Sequence, residues 1–95
     1  MVNIKLLIWD EWNVAHIARH KVTQEEVEEV CASNPVMQTG KKGRLLAYGL
    51  TKSGKTITVV LDQEPEDGVY YPVTARSTAK KERKIYKQEK EKEKK

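Results

Sequence analysis

The feature that most constrains this fold is the change of residue pattern at Asn34-Pro35. Before this pair, apolar residues recur at helical spacing, whereas short runs rich in β-branched residues and separated by turn residues follow it. Proline ends helices because it lacks an amide hydrogen and its ring clashes with the preceding turn. Helices followed by strands predict an α+β fold, and 95 residues allow one small domain. That length excludes two-domain enzymes and large α/β nucleotide-binding folds.

The helix before this boundary has a complete start signal. Thr23 occupies the N-cap position and Glu26 lies three residues on, which together form a capping box. Val22 and Val27 occupy the two positions of a hydrophobic staple. The spacing predicts that the buried stripe of this helix consists of Val27, Val30 and Cys31.

Two further elements are predicted upstream. Residues 4–9 alternate in a way that is typical of a short strand or an extended entry segment. Asp10 then stands where a helix N-cap is expected, and the inner face of that helix carries Val14, Ile17 and Ala18. Trp9 and Trp12 are predicted to be core anchors around this first helix.

Four strands are predicted after the boundary, at residues 36–39, 45–51, 56–61 and 69–75. The third contains the run ITVVL and is expected to be central. Pro72 favours an edge position or a bulge for the last strand, because proline cannot donate to a ladder. A final helix is predicted to be capped by Ser77 or Thr78, with one face formed by Ala79, Glu82, Ile85 and Tyr86.

Positive charge is concentrated at the C-terminal end. Residues 1–79 carry 9 basic and 10 acidic side chains, for −1, whereas residues 80–95 carry 9 basic and 4 acidic ones, for +5. The final run KQEKEKEKK has no apolar residue and is expected to be a frayed helical extension or a disordered tail. The folded domain is therefore predicted to span residues 1–87, with a charged Lys/Glu tail over 88–95.

The cysteine content and the N-terminal pattern predict a cytoplasmic protein. Cys31 is the single cysteine, so no intramolecular disulfide can form. It lies on the apolar stripe of an acidic helix, where we expect a buried and unreactive thiol. The apolar run near the N-terminus is too short for a signal peptide or a membrane span.

The segment GLTKSGKT, from Gly49 to Thr56, matches the P-loop pattern of nucleotide-binding proteins. A P-loop must open a helix whose N-terminus receives the phosphate. The residues after Thr56, however, are typical of a strand. The segment is therefore predicted to be a β-hairpin turn, with Gly54 supplying the unusual backbone conformation, and an ATPase is excluded.

The two histidines, His16 and His20, are spaced to share one helical face. This spacing can hold a metal, but no third ligand stands nearby in the sequence, so neither a metal nor another cofactor is expected. His20 is a candidate general base or acid; the alternative is that it ends the first helix and binds a backbone carbonyl. For His16, a solvated helix face is favoured.

Arg76 directly follows the last strand, at the start of the final helix, where an arginine is well placed to bind phosphate. The alternative is a structural partner such as Glu82. Arg83 and the lysines around it are candidates for binding nucleic acid, and these lysines include Lys80, Lys81 and Lys84. The alternative for any one of the lysines is that it simply lies on the solvent-exposed face of the helix.

Two further residues are candidates for the same surface. Arg44 precedes a strand and is a weaker candidate, which would face the same groove as Arg76. Tyr86 is favoured as a residue that covers the contact between helix and sheet, with its hydroxyl reaching solvent, and a role in chemistry is the alternative.

Four segments, taken in order, resemble the BrnT family of type II toxins: WDEWNVAHIARH, VTQEEVEEV with Asn34-Pro35, RLLAYGLTKSGKTITVV and YPVTARSTAKKERKIY. The resemblance covers about residues 6–87. It is strongest in Trp9-Asp10 with Asn13 and His20, and in the block of Ala75-Arg76, Ala79, Glu82, Arg83 and Tyr86. Lys21 departs from the family, which usually has glycine there, and a positive φ is expected at this position.

The resemblance implies a RelE-like α+β domain with two N-terminal helices, an antiparallel sheet of about four strands and a C-terminal helix. It implies a growth-arresting endoribonuclease that is neutralised by a BrnA-type ribbon-helix-helix antitoxin, with operator DNA bound only through the antitoxin. Metal-independent RNA cleavage needs a base, a phosphate clamp and an acid for the leaving oxygen. The hypothesis assigns His20 as base or acid, Arg76 and Arg83 as the clamp, and Tyr86 as an orienting or proton-donating group. Contacts to RNA are assigned to Arg44, Lys80, Lys81 and Lys84.

Two alternatives stay open at the level of sequence. One is a non-catalytic module whose basic C-terminal helix binds RNA or an acidic partner. It predicts salt-sensitive binding without cleavage. The other is a degenerate toxin that is retained only as a protein partner.

Overall fold

The computed structural model describes residues 4–93, and the predicted α+β class is confirmed. Two helices, α1 (Glu11–Ala18) and α2 (Gln24–Ala32), precede the main strands, and α3 (Lys80–Glu93) follows them. The strands are β1 (Leu6–Leu7), β2 (Val36–Thr39), β3 (Leu45–Leu50), β4 (Thr56–Gln63) and β5 (Val69–Ser77). A short 3₁₀ turn, Lys41–Gly43, connects β2 to β3.

The sheet has five strands in the order β1-β5-β4-β3-β2. The prediction of about four antiparallel strands therefore needs a correction. The segment before α1 forms a short fifth strand, in which Leu6 and Leu7 pair in parallel with Val69 and Tyr70. All other neighbours are antiparallel. The sheet is mixed because the entering chain runs alongside β5 in the same direction.

One face of the sheet packs against α1 and α2 and forms the core. Ala47, Val59 and Ala75 pair side by side across three strands, and all three are fully buried. Ile17 of α1 and Val27 of α2 belong to the same apolar cluster. Because successive strand residues point to opposite faces, the next row, Tyr48, Thr58 and Arg76, points the other way. We call this second surface the α3 face, because α3 lies on it.

The pairing of β5 shifts register at Pro72, for which the sequence predicts either an edge position or a bulge. Val60 pairs with Thr74 whereas Leu61 pairs with Pro72, so Val73 is an extra residue in β5. The carbonyl of Pro72 accepts a hydrogen bond from the buried side chain of Asn13 at 3.1 Å. This bond ties α1 to the irregular part of β5.

The starts of α1 and α2 are as predicted, and that of α3 is not. Asp10 and Asn13 form one capping box, and Thr23 and Glu26 form the other. The residue before the first turn of α3 is Ala79, whose amide donates to Glu82 at 2.9 Å. The predicted caps Ser77 and Thr78 are therefore wrong: Ser77 still belongs to β5, and the Thr78 hydroxyl faces Thr58 instead.

The segment that matches the P-loop pattern is a hairpin turn between β3 and β4, as predicted. The Thr51 amide donates to the Lys55 carbonyl at 2.9 Å, and Gly54 has a φ of 91°. The chain then enters a strand rather than a helix. Lys55 forms an ion pair with Glu26 at 3.2 Å, so this lysine helps to hold the turn against α2.

Three other expectations can be compared with the structure. Lys21 has a φ of 61°, which confirms the positive φ expected there. Cys31 is half-buried, and burial, followed by the charge of Glu28, raises its thiol pKa to about 12, in keeping with an unreactive thiol. The predicted tail begins as helix, since α3 runs to Glu93, and residues 94–95 lie outside the described residues. No helix within residues 4–93 is long and apolar enough to cross a membrane.

Candidate functional site

The best-defined polar arrangement joins the end of β5 to the first turn of α3. The guanidinium of Arg76 donates from Nη1 to Glu82 Oε1 at 2.7 Å and from Nη2 to Oε2 at 2.8 Å. The structural partner considered for Arg76 is therefore present. The Nε–H and the second Nη2 hydrogen of Arg76 make no hydrogen bond to the described residues, and 38% of its side chain is exposed. One edge of the guanidinium is thus available to an anion.

Glu82 is held by more than Arg76. Its Oε1 also accepts hydrogen bonds from the Ala79 amide at 2.9 Å and from the Thr58 hydroxyl at 3.1 Å. Thr58 is fully buried and its hydroxyl also contacts that of Thr78 at 3.1 Å. The Arg76 bonds, together with the Ala79 and Thr58 bonds, hold the pKa of Glu82 at about 2. Because this carboxylate stays ionised near neutral pH, it is a poor proton acceptor and acts as an anchor.

Tyr48 completes the row beneath this ion pair. It pairs with Thr58 across the sheet and is almost entirely buried. Burial, followed by the charge of Glu82, raises the pKa of Tyr48 above its ordinary value, so the phenol stays protonated near neutral pH. Sequence reasoning missed Tyr48, Thr58 and Thr78. Two-residue alternation was the available signal, but it becomes informative only when the strand register is known.

Arg44 forms a second ion pair on the same side of the sheet. Its Nε lies 3.0 Å from Asp62 Oδ1, and both side chains are about 40% exposed. Asp62 stands four residues beyond Thr58 in β4, which places it on the α3 face, about 13 Å along the strand. Arg44 therefore faces the same side as Arg76 but belongs to a separate pair.

Apart from Arg44, the cations predicted to contact RNA or its phosphates lie on the first half of α3. Lys80, Lys81, Arg83 and Lys84 are exposed, and their side chains form no ion pair with any other residue in 4–93. Tyr86 is half-buried, as expected for a residue at the contact between helix and sheet, and the Lys90 ammonium lies 5.7 Å from its ring centre. This part of α3 thus presents exposed positive charge beside the Arg76–Glu82 pair.

His20 lies on the other layer of the molecule. It follows α1, which packs on the core face of the sheet through Ile17, whereas α3 lies on the opposite face. His20 makes no hydrogen bond or ring contact with Arg76, Arg83 or Tyr86 among the described residues. The structure brings Arg76 together with the start of α3, and it leaves the role of His20 as a prediction.

The environment of the two tryptophans is only partly as expected. Trp9 is half-buried and packs against the core, as predicted. Trp12 is 56% exposed, so its assignment to the core is wrong. His16 is also not simply solvated, because its ring stacks on Trp12 with 4.7 Å between ring centroids. The helix turns Asn13 and Ile17 inward, which leaves Trp12 on the outer side.

The sequence matches no protein-family model and no curated protein. Membership of the BrnT family therefore remains a proposal. The geometry itself offers an anchored arginine with one free edge, a neighbouring group of exposed cations and a half-buried tyrosine. Such a surface can bind a phosphodiester through charge-assisted hydrogen bonds.

Proposed function

We propose that this chain is the toxin of a type II toxin–antitoxin system and a metal-independent endoribonuclease with a RelE-like fold. The observation that supports this most is Arg76, which is anchored by Glu82 while its Nε–H and one Nη2 hydrogen pair with none of the described residues and 38% of its side chain is exposed. An arginine fixed before substrate binds loses little side-chain entropy on binding phosphate, which is the arrangement that transition-state stabilisation requires. The resemblance to the BrnT family supports the same assignment.

In the proposed reaction, the ribose 2′-oxygen attacks the adjacent phosphorus and the bond from phosphorus to the 5′-oxygen breaks. The products are a 2′,3′-cyclic phosphate and a 5′-hydroxyl. A base removes the 2′ proton and an acid supplies a proton to the leaving 5′-oxygen. Arg76 and Arg83 neutralise the charge on the pentavalent phosphorus, and Tyr86 orients the phosphate or donates the proton.

The role of His20 requires RNA to reach both layers of the molecule. β1 pairs only with Val69 and Tyr70, so beyond Tyr70 the outer edge of β5 carries no further strand among residues 4–93. α1 packs beside β5 on one face, and Arg76 projects from β5 on the other. In the proposal, the RNA strand crosses this edge and contacts Arg76 on one layer and His20 on the other.

The proposed partners follow from the same assignment. They are a BrnA-type ribbon-helix-helix antitoxin and an RNA substrate, with operator DNA bound through the antitoxin. We propose a cytoplasmic location, where both RNA and such a partner are found. No cofactor is assigned to the reaction.

One observation favours a second candidate function. Because Glu82 occupies two donors of Arg76, the pair also suits a purely structural role for this arginine. The exposed cations of α3 would then serve a non-catalytic RNA- or protein-binding module, including a degenerate toxin. That alternative predicts binding that weakens with salt and no RNA cleavage.

Induced expression, with and without a small ribbon-helix-helix protein encoded beside this gene, tests the proposal. We expect growth arrest that the neighbour relieves, together with cellular RNA fragments that end in 2′,3′-cyclic phosphate. Normal growth during full expression of the chain alone would contradict the toxin assignment. Arrest without RNA fragmentation would leave a toxin that is not a ribonuclease.

A further inference from the structure

Three rings form a ladder along the outer side of α1 and the turn after it. The Trp12 and His16 rings are nearly parallel, with 4.7 Å between centroids and 9° between planes. The His16 and His20 rings meet edge to face at 5.8 Å and 63°. The ladder arises from the spacing of four residues, which places successive side chains above one another on a helix.

Trp12 is unusually accessible for an indole. It is 56% exposed although His16 covers part of its ring system. A lone exposed apolar residue needs no explanation. Here, however, the indole is held by a stacked neighbour, and α1 itself is fixed by the bonds that the buried Asn13 side chain donates to the carbonyls of Ile8 and Pro72. The result is a flat aromatic surface whose orientation is set before any ligand arrives.

The surroundings of the ladder favour an anion rather than a neutral partner. Arg19 and Lys21 are exposed within one turn of His16 and His20, and their side chains form no ion pair in the described part of the chain. Two acidic residues directly precede Trp12 in the sequence. Glu11 is exposed, and the carboxylate of Asp10 already accepts hydrogen bonds from the Asn13 amide and the Tyr71 hydroxyl. Aromatic rings next to available cations are the combination that binds single-stranded nucleic acid.

We propose that Trp12 is a stacking platform for one base of single-stranded RNA, with Arg19 and Lys21 binding the flanking phosphates. The inference rests on the proposed function and extends it, because it names a binding subsite on the layer opposite α3. RNA that lies over the free edge of β5 passes from this platform to Arg76. The subsite holds substrate and takes no part in the bond-breaking step.

Binding to a fully 2′-O-methylated RNA 12-mer tests the platform independently of cleavage, since this RNA lacks the attacking hydroxyl. Anisotropy of a labelled 12-mer measures affinity for the wild type, Trp12→Ala, Trp12→Phe and Leu50→Ala. Leu50 is a matched control, because it is a comparably exposed apolar residue at the end of β3. We expect Trp12→Ala to weaken binding about 5- to 150-fold, from roughly 1–3 kcal/mol per stacked base. Trp12→Phe should retain most of the affinity and Leu50→Ala all of it.

The outcomes separate this inference from the proposed function. If Trp12→Ala binds the 12-mer as tightly as the wild type, the platform is disproved while the nuclease proposal stands. The same result, combined with loss of antitoxin binding by Trp12→Ala, would make the ladder a protein-docking surface instead. Trp12-dependent binding without any cleavage of unmodified RNA would support the platform and contradict the nuclease. No binding of the 12-mer by the wild type would overturn the platform.

Discussion

Arg76 and Glu82 meet through two parallel hydrogen bonds of 2.7 and 2.8 Å, one from each terminal nitrogen of the guanidinium. They lie six residues apart, across the junction between β5 and α3. The carboxylate also accepts from the amide of Ala79, the residue before α3, and from buried Thr58 in the sheet. One side chain therefore fixes the start of the helix, its attachment to the sheet and the direction of the arginine.

Replacing Glu82 by glutamine should destabilise the fold. The substituted amide would retain part of the hydrogen bonding but lose the charge that binds Arg76, and Glu82 is only 14% exposed. Hydrogen bonds to charged groups contribute roughly 1.5–3 kcal/mol, and we expect a loss of unfolding free energy in that range by urea denaturation. The matched control is Glu89→Gln, which removes an exposed pair with Lys92 on the same helix and should cost less than about 0.5 kcal/mol. Equal effects of the two substitutions would refute the anchor role.

The same carboxylate predicts a pH dependence of stability. The pKa of Glu82 falls from an ordinary value of 4.5 to about 2 in the folded protein, so the folded state favours its ionised form. This contribution is complete above pH 4.5 and is lost as the pH falls towards 2, because the unfolded chain takes up the proton first. The difference in unfolding free energy between the wild type and Glu82→Gln should therefore shrink over that interval. A difference that stays constant from about pH 7 to pH 2.5 would contradict this linkage.

Gly49 permits the close approach of β3 to α2. A Cβ at this position would lie 2.9 Å from Val30 Cγ1 and 3.1 Å from Ser33 Oγ. We expect Gly49→Ala to destabilise the protein by about 1–3 kcal/mol, because overpacking displaces the helix. In a Val30→Ala background the clash with Cγ1 is absent and the cost should be smaller. The same cost in both backgrounds, measured by urea denaturation, would exclude this contact as the cause.

The exposed lysines of α3 predict a salt dependence. If Lys81 and Lys84 each neutralise one RNA phosphate, replacing both by glutamine should reduce the slope of log affinity against log salt by about 1.4, at roughly 0.7 per phosphate of a single strand. Lys41→Gln is the control, since Lys41 is an exposed lysine in the connection between β2 and β3. The anisotropy titration is repeated at several salt concentrations. An unchanged slope in the double variant would remove α3 from the RNA interface.

The features that could be predicted from sequence were local ones. The N-cap Asp10 of α1 and the capping box of α2 depend on residues close in sequence, and the missing amide hydrogen of Pro72 predicts an edge position or a bulge, of which the structure shows a register shift. The Arg76–Glu82 pair can be anticipated because a lone guanidinium between an apolar strand and a helix needs a partner, and the structure shows that Glu82 is that partner.

The remaining features depend on contacts between distant segments. The parallel pairing of Leu6 with Val69 and the row of Tyr48, Thr58 and Arg76 require the strand register. The high average burial of tryptophan favours a core position for Trp12, but the inward side of α1 is already filled by Asn13 and Ile17. The caps predicted for α3 fail because Ser77 pairs with Ile57 in β5 and the Thr78 hydroxyl faces Thr58, and both contacts depend on the strand register.

The most direct measurement is the rate at which the purified chain cleaves single-stranded RNA in the presence of EDTA, for the wild type, Arg76→Gln and the charge control Lys41→Gln. Circular dichroism and urea unfolding establish that each variant is folded, and a double variant that combines Arg76→Gln with Glu82→Gln repeats the test without an unpaired carboxylate. We predict that the wild type and Lys41→Gln cleave equally, whereas both Arg76 variants are slower by about 100-fold or more, the usual effect of losing one transition-state donor. Absence of cleavage by the wild type, or an undiminished rate in folded Arg76→Gln, would contradict the account.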